Sequence, residues 1–590
     1  MATSGSEPVV GSCWRRWRWV AYAGVAVLFL AGCAFSYYFF YIRPPQRLQA
    51  IVRDENTTAT AEEIRAICHQ VIRFPGERSH SAFIYLEAVG DETSVPLLIS
   101  AIWWAPAEEK KCCEWAHCLD ALEALTNQNF GFDYAKWRAW YNANKHKSRL
   151  AWIASGFGVT VQGSPQAVHV PLLRIGSSDP EGPIRRNALK LLKSYDRKLV
   201  SEQVSVAAKN GKPDEKLGAI EVAVALKLPG AEAMLQQLGK DADRGVRVLA
   251  LNHLAKAAAD RLTNLPGSYL RSHKLDQLPP VGGAVSIDDM LNVRLNCFAE
   301  GSNEPCFDVD AYYYTTMHGT LHKVQRSDGK NLWSTQHTVP PDRRFSYAPI
   351  CHGDYVVLGE DRVLVCSKAD GREIASVPGR LLGVGGGLVF AAVGKTVNIH
   401  ALPDLKREAS FAADGQVVGA AVGRENMALL VTDAALNVHP VTEGRAWLEG
   451  WSIKSKTRVW GPVLLSEGGV RDSSGIMQAD PDVCYASQGG LTRAIRIANG
   501  HILWEAAPEG TLYHVGKVIV LDADGIRGLR IRGLVLLHPR DGHMLARYVR
   551  KDGCGYCDVF VNGEQLLGHD CERTVHLYQL PVIPSDTPQP

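Results

Sequence analysis

The spacing of apolar and polar positions changes character three times along the chain. Residues 19–42 (WVAYAGVAVLFLAGCAFSYYFFYI) form an uncharged run of 24 residues, bounded by Arg18 and Arg43. At 1.5 Å per residue this run reaches about 36 Å, more than a hydrocarbon core of about 30 Å requires. Trp14, Trp17 and Trp19 stand at one end and Tyr37, Tyr38 and Tyr41 at the other, the placing expected of two membrane interfaces. From residue 60 to 260 the apolar residues recur at helical spacing. After Pro266 short alternating runs take over, punctuated by glycine. The pattern predicts a membrane-spanning helix, a helical array and an all-β domain, in that order.

For the first segment the expectation is a single-pass anchor: residues 1–18 a cytoplasmic tail, 19–42 the span, 43–59 a linker, and 44–590 extracytoplasmic, periplasmic or at the cell surface. Orientation rests on the tight cluster of Arg15, Arg16 and Arg18, because Arg43, Arg47 and Arg53 balance it in number. A competing reading stays open. Leu30-Ala31-Gly32-Cys33 resembles the lipobox of bacterial lipoproteins, which would make Cys33 the lipidated residue.

Within residues 178–258 a period of 31 fits. Ala188, Ala219 and Ala250 share a column; Ile184, Glu215 and Val246 stand four residues earlier, and Leu192, Ala223 and Leu254 four later. Arg185, Lys216 and Arg247 supply a basic column, and Asp179, Asn210 and Asp241 open each unit as capping residues. These units resemble short HEAT-type repeats, with Glu215 breaking the apolar column of the middle copy. Residues 60–146 continue as less regular helix pairs, with Asp133 as an N-cap. The predicted HEAT-like domain spans 60–260. Such pairs bury their apolar faces only by stacking into a solenoid.

The C-terminal half repeats a different unit: a strand, Asp-Gly or Asn-Gly, then a strand often ending in Trp. TLHKVQRSDGKNLWS (320–334), RVLVCSKADGREIAS (362–376), TRAIRIANGHILWE (492–505) and GLVLLHPRDGHMLAR (533–547) are copies, and ALNVHPVTEGRAWLE (435–449) is a weaker one. Asp-Gly and Asn-Gly favour two-residue hairpins because both positions tolerate positive φ. The marker glycines Gly329, Gly371, Gly444, Gly500 and Gly542 lie 42, 73, 56 and 42 residues apart. Reading 401–410 as a degenerate turn, an insertion in 470–485, and one further unit after Gly542 gives about seven units of four strands. Units of that length close into a β-propeller. The motif resembles the PQQ-like, or quinoprotein-like, propeller repeat across residues 307–582, preceded by a linker at 261–306 that contributes to closure and followed by a tail at 583–590. The resemblance implies that Trp333 and Trp504 dock between neighbouring blades, with Trp447 and Trp460 as weaker candidates. The fold class is therefore a multidomain chain: one transmembrane helix, a HEAT-like α-solenoid and an all-β propeller of about seven blades. That combination looks like a bacterial cell-envelope protein.

Composition narrows the functional classes. Among 590 residues, 64 Lys and Arg face 62 Asp and Glu, so the formal charge of +2 gives no global electrostatic case for nucleic acid. No phosphate loop, nucleophile elbow or HExxH motif is present. His318, His322, His352 and His514 are scattered. PQQ enzymes of the resembled family imply a larger propeller, calcium ligands and adjacent cysteines against the cofactor. Here the adjacent pair, Cys112-Cys113, falls in the helical region. Cys554-Gly-Tyr-Cys557 with His569 and Cys571 has the donor types of a zinc site, but outside the cytoplasm one or two disulfides are the simpler fate. Cys297 and Cys306 flank a short loop suited to a small disulfide ring. Twelve of the 14 cysteines follow the apolar segment, and pairing is expected for them. No catalytic residue is assigned. The expected function is a non-catalytic scaffold that binds protein partners through solenoid and propeller, with no cofactor. The alternative is an envelope oxidoreductase using PQQ with calcium.

Overall fold

A computed structural model of the chain describes residues 11–53, 58–73, 79–105, 113–178, 182–264 and 269–274. It then describes, with breaks of one to five residues, 306–337, 349–432, 445–466, 477–549 and 558–581. The chain divides into two units, Met1–Met234 and Leu235–Pro590.

The membrane anchor expected at residues 19–42 is corrected by the structure. Among the described residues no helix is long and apolar enough to cross a membrane. The apolar run is not a single α-helix: Gly11–Tyr37 gives way to a π-helical turn at Tyr38–Ile42, and Arg43–Arg53 continues as a third piece whose Leu48 is buried. Of the tyrosines expected at one interface, Tyr37 and Tyr41 stack on each other at 5.2 Å, beside a second stacked pair, Phe35 with Phe39 at 5.7 Å. The single-pass localisation of residues 44–590 falls with the span. Side chains of Trp14, Trp17 and Trp19 lie outside the described residues, and Cys33 is an exposed free thiol.

The first unit is built of helical repeats. Helices Ala61–Ile72, His80–Val89, Ser94–Trp104 and Cys113–Thr126 surround a core that includes Cys68, Phe83, Leu86, Trp115, Trp137 and Trp152. Their ends follow local chemistry. Thr60 and Glu63 form a capping box, and Asp133 accepts from the Lys136 amide at 3.0 Å. Pro183–Ser194 and Pro213–Ala225 each begin with proline, whose missing N–H costs nothing in a first turn. They bury Ala188 and Ala219, the two alanines 31 residues apart. Glu215, which breaks the apolar column, instead accepts from the Lys212 amide at 2.6 Å. Gly176 and Gly218 let Pro165–Ser177 and Pro213–Ala225 meet backbone to backbone. A Cβ on either would strike a carbonyl of the facing helix.

In the second unit, helix Arg244–Leu262 comes first. Its cap is Asp243, accepting from the Val246 amide at 3.0 Å, rather than Asp241. The third repeat column therefore belongs with the β domain: Ala255 and Ala259 share a core with Leu491, Ala494, Leu512, Ile519 and Leu521. Among the described residues the strands form seven four-stranded antiparallel sheets, at residues 306–336, 350–378, 380–412, 416–466, 477–506, 510–548, and 558–579 joined by Tyr269–Lys274. First strands of successive sheets touch one another, the radial arrangement of a propeller. Among the described residues after Gly542, a new sheet takes the three strands Asp558–Asn562, Gln565–His569 and Thr574–Gln579. Tyr269–Lys274 completes it, pairing antiparallel to Thr574–Gln579. In five sheets the last hairpin shifts register at the matching place (Lys323/Val324, Val365/Cys366, Ile399/His400, Ala494/Ile495, Leu536/Leu537). Bulges of this kind pin register.

Candidate functional site

The Asp/Asn-Gly turns and the tryptophans meet as one recurring clamp. Trp333, Trp460 and Trp504 each lie against the turn glycine of the next sheet: Gly371, Gly500 and Gly542. These glycines have φ of +74°, +70° and +71°, and a Cβ on any of them would come within 2.5 Å of the facing indole. Each indole N–H donates to the carbonyl three residues before that glycine. Trp333 reaches Lys368 O at 3.2 Å, Trp460 reaches Ile497 O at 2.5 Å, and Trp504 reaches Pro539 O at 2.9 Å. Glycine is required twice over, by the left-handed backbone and by the ring that fills its Cβ space. Trp460 holds the position that sequence ranked lower, whereas Trp447 turns to Glu449, donating at 3.3 Å. Gly329 and Gly444 lie outside the described residues.

Charge concentrates where helix Arg244–Leu262 meets the propeller. Arg493 is 1% exposed and binds Glu505 at 2.7 Å, and Arg247 takes the other Glu505 oxygen at 3.0 Å. Arg493 also donates to Gln488 O at 2.9 Å, Arg244 donates to Leu465 O at 2.6 Å, and Asn252 donates to Gly490 O at 2.9 Å. Burial alone would raise the Glu505 carboxyl, but the hydrogen bonds and charges of Arg493 and Arg247 outweigh it and hold the carboxyl below its usual range. The network is a structural anchor, because its carboxylate is saturated by guanidinium partners.

The cysteines divide differently from the expected ring. Cys306 pairs with Cys351, across the first two sheets, and not with Cys297, which lies outside the described residues. Cys68 and Cys366 are buried free thiols, which corrects the expectation of pairing at those two positions; Cys118 and Cys484 are buried as well. Cys366 lies 3.6 Å from His337 Nε2, the one arrangement among the described residues resembling a thiol–imidazole pair. Burial pushes its thiol up to about 12 and pushes His337 down, so the pair holds a proton rather than a thiolate. Cys554, Cys557 and Cys571, and the His569 side chain, lie outside the described residues, as do the side chains of Cys112 and Cys113.

Among the described residues after the N-terminal segment, the most exposed large aromatic side chains stand at the end of helix Ser94–Trp104. Trp103 and Trp104 are each 66% exposed, with Trp103 leaning on Tyr134 at 5.0 Å. On the propeller, Leu332, Ile374, Val459 and Leu503 are exposed at matching positions, each directly before the clamp column of its outer strand.

No family model matches the chain, and no curated protein matches it. Solved structures do resemble it. The structure of BamB from Moraxella catarrhalis is 12% identical, with 53% of this chain and 99% of that one covered, at a TM-score of 0.37. The computationally designed Ika8 protein is also 12% identical over 48% of this chain and 96% of its own, at 0.34. U3-55K is 10% identical over 46% and 92%, at 0.32.

Proposed function

We propose that the protein is a non-catalytic interaction scaffold, binding protein partners through surfaces of its helical repeats and propeller. The observation that carries this reading is the pair Trp103–Trp104. A tryptophan contributes about 150–250 Å² of contact area when covered, and such residues dominate the energetics of protein interfaces. Two adjacent tryptophans at a helix end, both largely open to water, present a surface that another protein stabilises by covering. The clamps and the saturated Arg493–Glu505–Arg247 network support rigid propeller surfaces, which lowers the ordering cost of binding there.

The test is affinity capture with the full chain as bait. The Trp103→Ala/Trp104→Ala variant and the parent are compared by quantitative mass spectrometry against extract of the source cells. A partner held by the parent and lost by the folded variant supports the proposal. Identical capture by both removes its basis.

A further inference from the structure

One propeller turn differs from its repeats in a way that creates a ligand set. In the sheet at 510–548 the turn reads His538-Pro539-Arg540-Asp541-Gly542-His543. The equivalent turns read Ser367-Lys368-Ala369-Asp370-Gly371-Arg372 and Arg496-Ile497-Ala498-Asn499-Gly500-His501. In all three the Asp or Asn side chain accepts the amide two residues on: Arg372 to Asp370 at 3.2 Å, His501 to Asn499 at 3.0 Å and His543 to Asp541 at 3.2 Å. The carboxylate position is thus part of the turn. Only here do imidazoles stand on both sides of it.

His543 Nδ1 lies 2.6 Å and His538 Nδ1 3.3 Å from Asp541 Oδ1, and one donor atom from each of the three residues lies within 4.8 Å of the others. The two rings stack, with centroids 4.9 Å apart and planes 16° apart. First-row cations take imidazole nitrogen and carboxylate oxygen at about 2.0–2.2 Å, so donors sharing one ion sit about 3 Å apart, a separation that the two imidazole–carboxylate distances here bracket. We propose that His538, Asp541 and His543 form a divalent transition-metal site with at least one coordination position open to solvent.

The set has the composition of open sites, two histidines and one carboxylate, rather than of closed structural zinc sites. The proton between His543 Nδ1 and Asp541 leaves when the ion enters, and the Arg540 amide, which donates to His538 Nδ1 at 3.2 Å, gives up that acceptor. The turn is preorganised from beneath. Trp504 lies against Gly542 and bonds Pro539 O, so the backbone carrying all three donors is fixed before any ion arrives. His538 is mostly buried, while Asp541 and His543 are exposed. The open position therefore faces water, where a small anion or a partner's side chain can complete the shell.

The experiment uses the full chain stripped with chelator and titrated with Zn²⁺ by calorimetry, with bound metal counted after dialysis. Two variants borrow residues from sister turns and so preserve the hairpin: His543→Arg copies Arg372, and Asp541→Asn copies Asn499. A Cys554→Ser/Cys557→Ser variant separates any thiolate zinc from this site. The parent is expected to bind one more Zn²⁺ equivalent than His543→Arg, and Asp541→Asn to bind that equivalent at least tenfold more weakly. The Cys variant should keep it. The same stoichiometry and affinity in the parent and both turn variants would overturn the proposal.

Discussion

The clamp makes a quantitative prediction at Gly500. Its φ of +70° places an L-residue in the left-handed region, which costs about 1–2 kcal/mol for alanine. The added Cβ would also stand 2.5 Å from Cε3 and 2.7 Å from Cδ2 of Trp460. The indole also lies directly against Gly450, its strand partner, whose own missing Cβ leaves the ring its space. Overpacking of this kind costs about 1–3 kcal/mol. Displacing the buried Trp460 N–H from Ile497 O adds about 1–3 kcal/mol. Gly386 supplies the control, since its φ is +59° and a Cβ there would meet nothing within 4 Å. Gly386→Ala therefore carries the backbone cost alone. The expected outcome in urea unfolding followed by tryptophan fluorescence is that Gly500→Ala loses about 2–6 kcal/mol more than Gly386→Ala. A difference within about 0.5 kcal/mol, the usual scatter of a surface substitution, would refute the packing argument.

Other consequences follow from named groups. Glu505 is held below the ordinary carboxylate range in the folded protein, so its contribution is complete above that range and is lost as pH falls through its folded value. Acid titration of the melting temperature should show a shallower fall for Glu505→Gln, which also starts lower at neutral pH because Arg493 loses its partner. Cys306–Cys351 joins residues 45 apart, and in the chain-entropy model its removal by Cys306→Ser/Cys351→Ser costs roughly 4 kcal/mol, read as a shift in the unfolding midpoint. Maleimide labelling without reductant should leave Cys68 and Cys366 untouched in native protein and modify them after denaturation, because burial pushes both thiols to about 12. Reconstitution with PQQ and Ca²⁺ should give no dye reduction with alcohols or sugars, and turnover would reinstate the oxidoreductase alternative.

The features legible in the sequence were those set by local chemistry. Asp-Gly and Asn-Gly mark hairpins because the turn needs positive φ, and Asp133 marks a helix start because a carboxylate satisfies free amides. The alanine period of 31 marks buried helix contacts at Ala188 and Ala219. What failed depended on distant partners. Arg247 and Ala250 continue the helical period, yet their helix packs on the propeller, where Glu505 sits 258 residues away. Cys306 found Cys351 because two sheets meet there, a proximity no cysteine spacing encodes. The apolar run at 19–42 met the length criterion for a membrane span, but length does not ensure one continuous α-helix. One further signal lies in the repeats themselves. Aligning the turns against one another would have isolated His538 and His543, the two imidazoles that make Asp541 unlike Asp370.

The proposed function requires that exposed aromatic surface on the helical repeats binds another protein. The most direct measurement is the dissociation constant of the captured partner for the full chain and for Trp103→Ala/Trp104→Ala, by calorimetry, with the melting temperature of both recorded. Hot-spot tryptophans contribute about 2–4 kcal/mol, so weakening of roughly 30-fold or more is expected at unchanged melting temperature. An unchanged dissociation constant in the folded variant would contradict it.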